Sequence, residues 1–292
     1  MKKNVLSMLL TAMLAVRMLA GCGKEGTAGG FDASSMVMVY SREDGSGTRG
    51  AFVELLGIEQ KGENGEKVDY TTVEATITNS TEVMLRSVAG DTYGIGYISL
   101  GSLNDSVKAL KINGAEVTGD NIRSGTYAIA RPFHIATTGD ISEATQDFIN
   151  FILSADGQAL IEEAGYVSVR EAATFGNSGA EGKIVIGGSS SVAPVMEKLI
   201  EAYKTINTGA DIELQASDST TGMAGTANGT LDIGMASRDL TKSEMDAGLT
   251  GIQIAMDGIA VIVNLENPTE DLATDAVRAI FTGETMKWDA VP

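Results

Sequence analysis

The chain has 292 residues, 43% of them hydrophobic, and its 39 acidic against 21 basic side chains give a formal charge of −18. So acidic a protein is poorly suited to nucleic acid or an anionic lipid surface, although a short-range cage of hydrogen bonds can hold a small anion against a screened long-range field. Cys22 is the only cysteine and His134 the only histidine, so no internal disulfide can form and no second such residue completes a His/Cys metal site or a Cys/His pair.

The first 21 residues read as a secretory leader: Lys2 and Lys3, an apolar run from Val5 to Val16, then small residues. The run is too short for a membrane span. Leu19-Ala20-Gly21-Cys22 resembles a lipoprotein signal-peptidase box, which makes Cys22 the expected lipidation site and a lipid anchor the expected attachment to the outer face of the cell membrane. Arg17 is an odd charge just before that box. Removal of the leader would take away three cations and leave a still more acidic chain of about 270 residues, a length that suits two lobes better than one. Residues 22–35, rich in Gly, Ala and Ser from Lys24 onward, read as a flexible tether.

The most informative stretch follows. An apolar strand, Met36 to Val39, runs into Tyr40-Ser-Arg-Glu-Asp-Gly-Ser-Gly-Thr-Arg-Gly50, which opens a helix around Ala51 to Leu56. Backbone N–H groups, two hydroxyls and one or two guanidiniums are thereby aimed at one point, as an oxyanion site requires. Gly45 to Gly50 also matches the G-x-G-x-x-G of dinucleotide-binding folds, with Asp69 and Glu74 at about the distance of the acidic partner. The polar loop Gly57 to Lys67 and the export signal argue against that assignment.

Three further places repeat the pattern of strand, small polar turn and helix start. Lys183 to Pro194 leads into an amphipathic helix over Val195 to Lys204, with Pro194 suited to its first turn. Ile212 to Gly222 leads into a short helical stretch. Leu231 to Leu240 precedes Thr241-Lys-Ser-Glu244, a capping-box pattern. Any one Ser/Gly turn is ordinary loop chemistry. Four, each at the carboxyl end of a strand where open α/β sheets place ligands, and two of them carrying arginines, point to one anion site. Between these lie a helix predicted over Glu143 to Glu163, His134 on a returning strand as a structural residue, and a polar linker of residues 170–182 with Gly176, Gly179 and Gly182.

With these residues in view, the sequence resembles the phosphate-binding proteins of bacterial phosphate ABC transporters, a type II periplasmic binding protein family. Arg42 to Thr48 is similar to the family's phosphate loop and Gly188 to Pro194 to its first strand–helix turn. Thr92 to Tyr97, Asp257 to Asn264 and Ala279 to Gly283 with Trp288 are similar to its scaffold signatures. The resemblance implies an α/β fold of two lobes, mixed sheets flanked by helices, with a hinge between the lobes. It implies phosphate contacts from Arg42, Ser46, Gly47, Thr48, Ser190, Ser191 and Ser219. At the position of an aspartate that accepts the proton of hydrogen phosphate in well-known members stands Arg238, a further candidate contact or else a surface or interlobe salt-bridge residue; Asp239, Asp218 or Asp44 could then supply the acceptor.

The order of the halves departs from the family, in which the part resembling Ile184 to Pro292 comes first. A circular permutant, or a piece of a tandem array, would account for this. As a permutant, the chain divides into lobe II, residues 36–127 plus 266–292 with the anion loop, and lobe I, residues 128–265 with the linker. The expected function is an extracytoplasmic solute-binding lipoprotein, monomeric, without cofactor or metal, handing inorganic phosphate to an ABC permease. The alternatives are a degenerate domain serving as an oxyanion sensor or adhesin, and a secreted phosphoesterase; the lone His134 and the absence of EF-hand spacing disfavour enzymatic and Ca²⁺-dependent chemistry.

Overall fold

In chain order the elements are β1 (Met38–Arg42), α1 (Gly47–Leu55), β2 (Glu59–Lys61), β3 (Lys67–Asp69), β4 (Thr76–Thr78), α2 (Thr81–Ala89), β5 (Gly94–Ser99), β6 (Lys108–Ala109), β7 (Lys111–Ile112), α3 (Gly119–Arg123), β8 (Ala130–Thr137), α4 (Glu143–Ile152), α5 (Ala155–Glu163), β9 (Val167–Ser168), β10 (Gly182–Ser189), α6 (Ala193–Ile206), β11 (Ala210–Ser217), α7 (Ser219–Ala227), β12 (Ile233–Ala236), α8 (Lys242–Asp246), β13 (Thr250–Val263), β14 (Asp271–Leu272) and α9 (Thr274–Phe281). The computed structural model describes residues 30–62, 64, 66–169 and 173–291, and from Ala33 onward the chain forms one compact unit. The leader and Cys22 lie outside the described residues. Among the described residues no helix is long and apolar enough to cross a membrane.

The main strands run in the order β11-β10-β12-β8-β13-β5-β1-β4. Pairing is parallel among β11, β10 and β12 and among β5, β1 and β4, and antiparallel where β8 and β13 intervene. The 14-residue β13 serves both ends of this array: Thr250 to Gly258 pair with β8, and Ile259 to Val263 pair with β5. Its apolar, β-branched sequence suits burial along most of that length.

One core packs α4, α5 and α6 on the sheet, with Phe133, Ile135, Phe148, Phe151, Ile184, Ile186, Leu199, Tyr203 and Met235 buried together. At the other end Phe52 of α1 stacks on Tyr97 of β5 at 3.9 Å and meets Phe281 of α9 edge-on at 4.8 Å. Each parallel strand then delivers its following turn to the same side: β1 to Ser46, β10 to Ser190, β11 to Asp218 and β12 to Ser237.

The helix expected over Glu143 to Glu163 is two helices. Ser154 divides them, its hydroxyl donating to the Phe151 carbonyl at 2.6 Å and accepting from Gly157 N–H at 3.2 Å, so that it satisfies the end of α4 and the start of α5. The polar stretch before β10 contains no regular element over residues 173–181, yet it is held: Ser178 N–H donates to the buried Asp147, whose other oxygen accepts from Tyr203 at 2.7 Å.

Candidate functional site

The end of β1 is fixed before any ligand chemistry begins. Tyr97 Oη lies 2.9 Å from Ser41 Oγ and accepts from Arg42 N–H at 3.1 Å, while Glu43 N–H donates to Thr78 O at 2.9 Å. Burial pushes the Tyr97 phenol up, so it stays protonated. Arg49 braces the same loop from α1, donating to the Arg42 carbonyl, to Asp44 and to Asp69. Burial alone would raise the Asp69 carboxyl, but hydrogen bonds from Thr71 and the Arg49 guanidinium outweigh it and hold the group below its ordinary range. This ion pair is what the acidic residue twenty positions after Arg49 does; it is a loop brace.

On that frame Arg42, only 1% exposed, extends into a cluster of hydroxyls. Its Nη1 donates to Thr81 Oγ1 at 3.3 Å and its Nη2 to Ser190 Oγ at 3.2 Å. Thr48 Oγ1 and Ser191 Oγ are 2.8 Å apart, and Thr81 Oγ1 lies 3.3 Å from both Ser190 and Ser191 hydroxyls. Next to this group Ser189 donates to Ser237 at 3.0 Å, and Ser237 N–H donates to Ser219 at 3.1 Å. Gly47 closes the gap between the two groups: a Cβ there would stand 2.4 Å from Ser219 Oγ. Ser46 caps α1, accepting from Arg49 N–H at 3.4 Å, and keeps its own hydroxyl proton to donate.

Four helices begin at this cluster: α1 at Gly47, α2 at Thr81, α6 at Ala193 and α7 at Ser219. Their first-turn N–H groups and positive dipole ends add to the guanidinium. Of the eight expected contact residues, Arg42, Thr48, Ser190 and Ser191 meet through hydrogen bonds, Gly47 lies against Ser219, and Ser46 caps the helix that carries Thr48. Arg238 is turned to other partners: both its terminal nitrogens bind Glu244, at 2.8 and 2.9 Å, and further bonds go to Asp239 O and Thr220 Oγ1. Burial favours a neutral Glu244, but hydrogen bonds from Arg238 and Thr241 and the guanidinium charge prevail and hold its carboxyl low.

Two of the three carboxylates nominated as proton acceptors are occupied elsewhere, and the third is exposed to solvent. Asp44 binds Arg49, Asp218 caps α7 through Thr221, and Asp239 is exposed 3.9 Å from His134. The carboxylate beside Arg42 is Glu43, whose two oxygens each accept from the guanidinium at 2.8 Å. His134 is half-buried on β8 with Nδ1 3.2 Å from the Arg238 carbonyl, and burial lowers its pKa against the pull of Asp239, so it is neutral at physiological pH and structural. Among the described residues no group of three or more His, Cys, Asp or Glu side chains could hold a metal ion.

Thr81, Ser189, Ser237 and Glu43 escaped the sequence reading. For Thr81 a signal existed: Thr76–Thr78, Asn79-Ser80 and the helix starting at Thr81 are a fifth strand–polar turn–helix unit, hidden because β4 is three residues long and mostly exposed.

A mixed α/β array that gathers helix N-termini, hydroxyls and a buried arginine at one point defines an anion-binding protein of the periplasmic-binding-protein class. A family model for the PBP superfamily domain matches residues 29–156 and 173–292. The chain is 50% identical over 289 residues to phosphate-binding protein PstS 2 of Streptococcus agalactiae serotype V, across 98% of each chain. It is 41% identical over 274 residues to phosphate-binding protein PstS 2 of Streptococcus pneumoniae serotype 4, across 94% of each. The crystal structure of a phosphate ABC transporter phosphate-binding protein from Streptococcus pneumoniae TIGR4 superposes with a TM-score of 0.70 at 41% identity, covering 88% of this chain and 100% of that one. The chain belongs to the PBP superfamily and, within it, to the family of these phosphate-binding proteins.

Proposed function

We propose that this chain captures inorganic phosphate and hands it to an ABC permease, as a binding protein and not an enzyme. The observation that carries the reading is the convergence of Arg42, Gly47, Thr48 and Thr81 from one part of the chain with Ser190, Ser191 and Ser219 from another, at four helix starts. Donors of this kind, fixed by the backbone and largely dry, suit a tetrahedral oxyanion. Supporting it are the relatives, which are named phosphate-binding proteins, one of them of a phosphate ABC transporter.

In this reading residues 36–127 with 266–292 form one lobe and 128–265 the other, and phosphate is held where they meet, closure being stabilised by contacts to both. The halves stand in exchanged order. In keeping with that, residues 33–37 are hydrogen-bonded to residues 286–289, through Val37 N–H to Met286 O and Asp289 N–H to Ala33 O, so the ends of the two segments lie side by side. Cys22 carries the lipid anchor that keeps the monomeric protein on the outer face of the membrane.

Calorimetric titration of the protein lacking residues 1–21 tests the reading. Phosphate is expected to bind at one site, and Arg42→Ala and Ser191→Ala each to weaken phosphate by at least about tenfold, roughly 1.4 kcal/mol. A parent protein that takes up no phosphate would refute it.

A further inference from the structure

Outside the hydroxyl cluster, another set of bonds reaches the Arg42–Thr48 loop from α7. The Gly45 carbonyl accepts twice from Thr220, from its backbone N–H at 3.2 Å and from its hydroxyl at 3.2 Å. Thr220 is in the first turn of α7, where the helix offers its N–H no partner, and Gly45 supplies one. The Thr220 hydroxyl in turn accepts from Arg238 Nη2 at 3.2 Å, and Arg238 is gripped by both oxygens of Glu244. Glu244 is itself fixed by the capping box with Thr241 at the start of α8. The relay is therefore Glu244 to Arg238 to Thr220 to Gly45.

The fit is steric as well. Gly45 has φ +88°, and a Cβ there would lie 2.6 Å from Asp218 Oδ1, so the turn seats against the cap of α7 only without a side chain. Thr220 is exposed and none of these bonds uses a hydroxyl of the anion cluster, so the contact forms without any anion.

Resting on the binding reading above, we propose that Thr220 and Arg238 are positioning residues: they clasp the anion loop through the Gly45 carbonyl and set how long phosphate stays bound. Arg238 acts through Thr220 and touches no ligand.

Two measurements judge this. Exchange of the Thr220 amide in phosphate-free protein reads the clasp, and stopped-flow release of phosphate reads its effect. Thr220→Val keeps the amide and the shape but removes the relay; it is expected to speed release about tenfold, with association within about twofold of the parent and faster amide exchange. Arg238→Met should likewise speed both release and amide exchange while leaving association within about twofold of the parent. Ser191→Ala should weaken binding while leaving amide exchange in phosphate-free protein unchanged. Release and exchange at parent values in both clasp variants would overturn the proposal. So would an Arg238→Met protein that loses binding by about a hundredfold or more beside a normal Thr220→Val, since that pattern marks a direct anion ligand. If the parent binds no phosphate, the binding reading fails, while amide exchange still decides whether the clasp exists.

Discussion

Gly47 has no room for a side chain. A Cβ would meet Ser219 Oγ at 2.4 Å, Ser237 Oγ at 2.8 Å and the Arg238 stem at 3.1 Å. Gly47→Ala must therefore push the loop off the opposing serines, and phosphate affinity should fall by at least about a hundredfold, near 2.7 kcal/mol, in calorimetry. The circular dichroism of the phosphate-free protein should be unchanged, because alanine is at ease in a first helical turn. A second residue-scale expectation concerns Asp257. It is fully buried against Arg131, and receives hydrogen bonds from Ser99 and the Leu100 N–H. Burial pushes its carboxyl from 3.8 to about 6, against the opposing pull of those partners. Because the folded value lies above the unfolded one, its contribution to stability is fully present below 3.8 and is lost as the pH rises through about 6. Urea titrations across that window should show the parent losing stability relative to Asp257→Asn as pH increases; parallel profiles would refute the assignment. Which turns gather at one point was largely legible at this scale, because a Ser/Gly turn at a helix start has few ways to direct its donors. The direction of Arg238 was not legible. A guanidinium follows its carboxylate, and Glu244 reaches it only because α8 folds back over the turn.

Among the elements, α1 links packing to the site. Phe52 on its buried face stacks on Tyr97, and the Tyr97 hydroxyl holds Ser41 and the Arg42 N–H. Phe52→Ala is expected to cost about 3–5 kcal/mol of stability in urea unfolding, from lost contacts and the cavity left behind. The loosened ring should also weaken phosphate binding, although Phe52 has no polar group to offer an anion; unchanged affinity would separate the ring stack from the loop. The strands and helices around the four Ser/Gly turns were readable since their periodicity changes abruptly at small polar residues. The break at Ser154 was not, because one hydroxyl there serves two helix ends within an otherwise continuous amphipathic pattern. Likewise β4 owes its strand form to pairing with Tyr40 to Arg42, a tertiary cause that three mostly exposed residues cannot announce.

At the scale of the whole molecule, charge and site oppose one another. A protein of formal charge −18 repels the anion it is read to collect, and only the short-range donors reverse that. Raising ionic strength from about 0.01 to about 0.1 M shortens the screening length from about 30 to about 10 Å, so phosphate should associate faster with added salt while its release barely changes. Association that slows with salt would show that local cations steer the ligand. The α/β architecture was legible because the strand–turn–helix pattern repeats along the chain; the pairing of distant halves required the fold. One consequence of that pairing lies in β13, whose first nine residues belong to the β8 side and last five to the β5 side. No loose segment separates those two stretches, so β13 itself joins the two strand groups without a break in the strand. If the two strand groups move against one another as the proposed closure requires, such a strand would act as a torsion spring, returning them toward one resting twist.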